Sequence, residues 1–100
     1  MIYRVEVHSG VSDYLRSLEG FTRAGRLNLC GFLDALRNYG DEARKSCPRQ
    51  TPDSMVFRFR WTFDAGQAIR SVDFYVDDSQ GPAGLLEVLY AELILLSEEE

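Results

Sequence analysis

MVFRFRWTF, residues 55–63, alternates without a break: Met55, Phe57, Phe59, Trp61 and Phe63 fall on one side, and Val56, Arg58, Arg60 and Thr62 on the other. Successive side chains of a β-strand point to opposite faces, so this is a strand with an apolar face pressed on a core and a basic face turned outward. The turn sequence Asp64-Ala-Gly-Gln67 follows, and then IRSVDFYV, residues 69–76, alternates in its turn. Val72, Phe74 and Val76 are its inward set; Ser71, Asp73 and Tyr75 are its outward set. Two alternating runs joined by a short Gly-bearing turn read as a β-hairpin.

Working outward, residues 77–84 form a loop, and LLEVLYAEL begins a segment, Leu85–Leu96, that we read as a further strand. Its Leu, Glu and Ala content suits a helix equally well, but its place after two hairpin-connected strands favours the sheet. Upstream, Asp41–Asp53 is polar and carries Pro48 and Pro52, which marks a loop holding the densest basic group, Arg44, Lys45 and Arg49. Before it, Leu29, Phe32, Leu33 and Leu36 recur at helical spacing, in a helix expected from a Thr22 cap to about Tyr39, with Gly40 as its stop. A shorter helix, capped by Ser9 or Ser12, runs to about Leu18 and ends at Gly20. The N-terminus opens on a strand in which Tyr3, Val5 and Val7 alternate with Arg4, Glu6 and His8.

The order is β-α-α-β-β-β, an α+β fold with a helical hairpin packed on one face of a small, mostly antiparallel sheet. One hundred residues support one core, so residues 1–100 read as a single domain with an acidic tail at 97–100. The expected core holds Tyr3, Val5, Leu33, Phe57, Phe59, Trp61 and Phe74, with Cys30 packed in the helix stripe. The opposite sheet face collects Arg4, Glu6, His8, Arg58, Arg60, Asp73 and Tyr75.

Composition narrows the function classes. The net charge is −5, with Glu98, Glu99 and Glu100 at the end of the chain. An acidic whole is a poor non-specific partner for nucleic acid, whose binding is dominated by phosphate. All basic residues except Lys45 are arginines, the side chain best shaped for bidentate clamps. His8, Cys30 and Cys47 have no metal-ligand or redox spacing, and no glycine-rich phosphate loop or nucleophile elbow is present. We therefore expect no metal and no cofactor. No basic-then-apolar leader opens the chain, and the longest apolar run is interrupted by Glu87 and Glu92, so no membrane partner and a cytoplasmic location are expected.

The segments FRFRWTF (57–63), IRSVDFYV (69–76) and LLEVLYAEL (85–93), with the element order, resemble the RelE/ParE toxin superfamily over roughly residues 2–95. The resemblance implies an antitoxin partner. For the ribonuclease members it implies cleavage of mRNA on the ribosome, with strand-borne basic side chains holding the scissile phosphate; other members act on DNA gyrase. On this resemblance Arg58, Arg60 and Arg70 take the clamp positions, and Tyr75, with Tyr90, Glu6 and His8, is left to move protons. Arg44, Lys45 and Arg49 become candidate substrate-binding residues. In-line attack of a 2′-hydroxyl needs a base, an acid and cations for the developing charge. The strands carry no lysine, and acid stands at the C-terminal end where a cation would help; Arg70 falls on the Val72/Phe74 side by alternation. A weak or degenerate catalytic set results. The alternative is a non-catalytic acidic module, immunity- or inhibitor-like, that binds a basic protein partner.

Overall fold

The alternation of the central segments is realised as strands in the computed structural model, which describes residues 2–17, 23–64 and 69–94, with side chains described for 2–14, 31–62 and 71–94. Among the described residues the elements are β1 (Arg4–Val7), α1 (Ser9–Ser17), α2 (Arg23–Ser46), β2 (Val56–Asp64), β3 (Ile69–Asp77) and β4 (Leu85–Ile94), with a 3-10 turn at Gly81–Ala83. The protein is an α+β fold in the order β-α-α-β-β-β, as its sequence pattern implies. The four strands make one mixed sheet in the order β1-β4-β3-β2. β1 lies parallel to β4, while the β4–β3 and β3–β2 pairs are antiparallel.

α1 lies against β4, and α2 against β1 and β2. Phe32 and Leu36 of α2, Val11 of α1, and Tyr3, Phe57, Val72, Phe74, Val76, Leu86 and Val88 from the sheet side form one buried cluster. At its centre the rings of Phe32 and Phe74 stack at 3.8 Å between centroids and 12° between planes. Tyr3, Phe57 and Phe74 are buried as their strand phase requires, whereas Val5, Leu33, Phe59 and Trp61 are only partly buried against the cluster. The side chains of Cys30 and Phe63, the Thr22 cap, the Gly20 stop and the tail at 97–100 lie outside the described residues.

Two boundaries differ from the sequence reading. α1 starts at once after β1, with the Val11 and Ser12 amides donating to the His8 carbonyl. More consequentially, Gly40 does not stop α2. The backbone bends at Tyr39 (φ −120°, ψ 22°) and the helix continues to Ser46. Gly40 serves instead as a point of close approach, since a Cβ there would lie 2.5 Å from Tyr3 Cδ2. The first half of the expected 41–53 loop is therefore helical, and Arg44 and Lys45 stand on the last turn of α2.

β4 also explains its own ambiguity. Its register against β3 shifts between Tyr75 and Val76, so Tyr75 pairs with Tyr90 but Val76 with Val88, leaving Leu89 as the extra residue of a bulge. A bulge inserts one residue and reverses the parity of the positions beyond it. Leu86 and Val88 before it, and Ala91 after it, are consequently all buried, with Leu93 packed against the same core.

Candidate functional site

The sheet face away from the helices is built in rows across β2, β3 and β4. One row is Arg58–Tyr75–Tyr90 and the next Arg60–Asp73–Glu92. Tyr75 and Tyr90 are in ring contact, 5.5 Å between centroids, and Tyr90 is 58% exposed. Asp73 points to this face yet is 2% exposed, because its strand is flanked on both sides and long side chains on the neighbouring strands lean over it.

Asp73 settles the electrostatics of the arginines. Arg60 grips its carboxylate with two hydrogen bonds, Nε to Oδ1 at 2.7 Å and a terminal nitrogen to Oδ2 at 3.0 Å. Such a bidentate pair is the strongest form of the interaction. Arg58 stands 3.8 Å from Asp73 Oδ2, beyond hydrogen-bonding range. Asp73 therefore takes up the charge of Arg60 and lies beside that of Arg58. Arg58 also lines a cleft of about 380 Å³, together with Pro48, Arg49, Gln50, Ser54, Val56 and Tyr75. Burial, joined by the charges of Glu92 and Asp73, pushes the Tyr75 phenol up against the opposing effect of Arg58. The Tyr75 phenol thus stays protonated at neutral pH.

Of the other suggested proton carriers, Tyr90 stands beside Tyr75, while Glu6 and His8 are elsewhere. Glu6 pairs with Arg4 at 3.2 Å, and His8 approaches Glu87 at 3.6 Å. Both belong to the β1 edge, three strand spacings from β2, or about 14 Å at ~4.8 Å per spacing. They cannot serve a phosphate held by Arg58. The side chain of Arg70 lies outside those described; its backbone pairs with Phe63.

Arg44 and Arg49 converge on a second aspartate that the sequence reading did not single out. Asp78, 6% exposed, receives Arg44 Nε at 3.2 Å and Arg49 at 2.7 and 3.3 Å. Arg49 also donates to the carbonyls of Ser54 (2.9 Å) and Arg44 (2.7 Å), and Arg44 to the Tyr3 hydroxyl (3.0 Å). The Asp78 amide donates to Met55 O, and its carbonyl accepts from Gly81 N. At Gly81 a Cβ would sit 2.5 Å from Arg44 Cζ, so glycine leaves the space the guanidinium fills. This cluster fastens the end of α2, the 47–54 loop and the β3–β4 connection. Burial works to raise the Asp78 carboxyl, but hydrogen bonds from Arg49 and Arg44 and their charges prevail and hold it below the usual carboxylate range. Lys45 is exposed on the last turn of α2.

The same fastening positions the cleft. Arg49 bridges to Phe57, and Pro48 O accepts from the Arg58 amide at 2.9 Å, so the loop runs along the outer edge of β2. Of the sequence-suggested residues, the cleft brings together Arg49, Arg58 and Tyr75; it adds Gln50 and Ser54, which carried no signal in the sequence. Among the described residues no group of acidic, histidine or cysteine side chains is close enough to hold a metal, and no helix is long and apolar enough to cross a membrane. Comparison with protein-family models, curated proteins and solved structures returned no match.

Proposed function

We propose that the protein is a non-catalytic interaction module on a RelE/ParE-like framework, binding a basic protein partner rather than cleaving RNA. The observation that carries this reading is Asp73, whose buried carboxylate takes both ends of the Arg60 fork and stands beside Arg58. A cation neutralised in advance attracts little phosphate, because the attraction that drives RNA binding is electrostatic. The excess of negative charge, −5 over the chain, acts in the same direction and favours a cationic partner. The element order supports the framework; an antitoxin-like or immunity-like relationship to the partner is the biological form this would take.

Affinity capture from native lysate tests the reading. The expected result is a stoichiometric complex with one basic protein, dissociating as salt is raised through the range where charge pairs are screened. Recovery of ribosomes, lost on treatment with ribonuclease, would contradict it.

A further inference from the structure

Beyond Val88, the side of β4 that faces β1 carries no strand among the described residues. β1 pairs with Leu85–Val88 only, His8 N closes the pairing on Val88 O at 3.1 Å, and the chain then turns into α1. The Leu93 amide points to that side and is capped by the Tyr14 hydroxyl at 3.0 Å, so an added strand takes the place of that hydroxyl. Backbone groups two residues apart on a strand point the same way, so the amide and carbonyl of Ala91 face that side too. Between this edge and α1 runs a groove of about 410 Å³. Val11, Tyr14, Leu89 and Leu93 give it apolar walls, and Tyr90 and Glu92 form its rim.

The charge on this groove is of one sign. No basic residue lines it among the described residues, and there the Glu92 carboxylate makes no hydrogen bond or ion pair. The exposed Tyr90 ring beside it offers an aromatic face to a guanidinium, a contact that adds to the carboxylate pairing.

We infer that the β4 edge from Leu89 to Leu93 takes an extended segment of a basic protein by strand addition, with apolar side chains in the groove and an arginine over Tyr90 and Glu92. This rests on the interaction-module reading and deepens it. Main-chain hydrogen bonds supply affinity in this mode, and pockets for alternate side chains supply selectivity. The bulge at Leu89 gives the site its composition: it turns Ala91 and Leu93 inward and brings Tyr90 and Glu92 to the rim.

The test uses the whole protein, a short synthetic peptide alternating arginine and valine, and a counterpart alternating glutamate and valine, followed by backbone amide NMR. The expected result is perturbation centred on Leu89–Leu93 and Tyr14 by the arginine peptide and none by the glutamate peptide. Glu92→Arg, an exposed change that leaves the core untouched, should weaken the arginine peptide by about tenfold or more and bring in the glutamate peptide, because like charges facing each other across an interface repel strongly. Perturbation centred instead on the exposed face of α2 around Asp34 would overturn this docking surface and leave the interaction reading standing. Self-association mapped to the same β4 amides would make a second copy the occupant and overturn it too. An absence of peptide binding overturns the inference alone. If a single-stranded RNA oligonucleotide binds at Arg58 and Tyr75 while the peptide does not bind, both readings fall.

Discussion

Phe74→Ala should remove about 3–5 kcal/mol of folding free energy, the usual cost of truncating a fully enclosed phenylalanine. Phe74 has no exposed surface, stands on an inner strand of the sheet and stacks on Phe32 of α2 at 3.8 Å. Its ring is thus a principal contact between the helical layer and the sheet, and a cavity there cannot close without moving one layer against the other. For a domain of this size each kcal/mol is worth roughly 4–8 °C in Tm, and total stabilities run to about 5–15 kcal/mol. The variant should therefore melt far below the wild type or fail to fold at ordinary temperature. Urea denaturation followed by circular dichroism measures it. Phe59→Ala, at a half-buried site beside Trp61, should cost clearly less, and equal costs would mean that the core is centred elsewhere.

Asp78→Asn should cost about 3 kcal/mol or more at neutral pH, because it leaves two arginines with little access to water facing an amide. Their side chains are 29% and 19% exposed, against 6% for Asp78. The substitution keeps the shape and removes only the charge, so the loss reports the ion-pair cluster rather than packing. The pH dependence carries a definite sign. The folded carboxyl titrates below its unfolded value of about 3.9, so its contribution is complete above that pH and is lost as pH falls through the folded value. Wild-type stability should fall with acid in that range, and the gap between wild type and Asp78→Asn should narrow. A gap that stays constant down to acid pH would place the Asp78 contribution outside its charge.

The strands were legible because one physical rule governs them. Phe57, Arg58, Phe59 and Arg60 alternate as a half-buried strand must, and Val72, Phe74 and Val76 answer them in register. The rule fails where the backbone departs from ideality. Leu89 is one residue too many for alternation, so Leu85–Leu96 shows no clean strand period, and only its place after the hairpin favours the strand it forms over Leu85–Ile94. Gly40 carries the usual sign of a helix end, yet it is present because the Tyr3 ring presses on the helix there, a contact between residues far apart in sequence. For the same reason Arg44 and Arg49 could be recognised as a basic group but not as the two arms on Asp78. Asp77 and Asp78 look alike in sequence, but Asp78 is the one buried against the arginines. Arg58 and Tyr75 were visible as a pair of outward positions, whereas Gln50 and Ser54 reach the cleft through a loop whose path depends on Arg49. The pairing of Arg60 with Asp73 was one of two arrangements the alternation allowed, and it is the observation on which the proposed cationic partner rests.

Incubation of the purified protein with a translating extract, followed by mapping of mRNA ends, tests the central claim most directly. With Asp73 holding Arg60 and standing beside Arg58, the mRNA should remain intact at all protein concentrations, and the Arg58→Ala/Arg60→Ala double variant should behave as the wild type does. Cleavage by the wild type at defined positions within ribosome-bound mRNA, abolished in a folded double variant, would contradict the account.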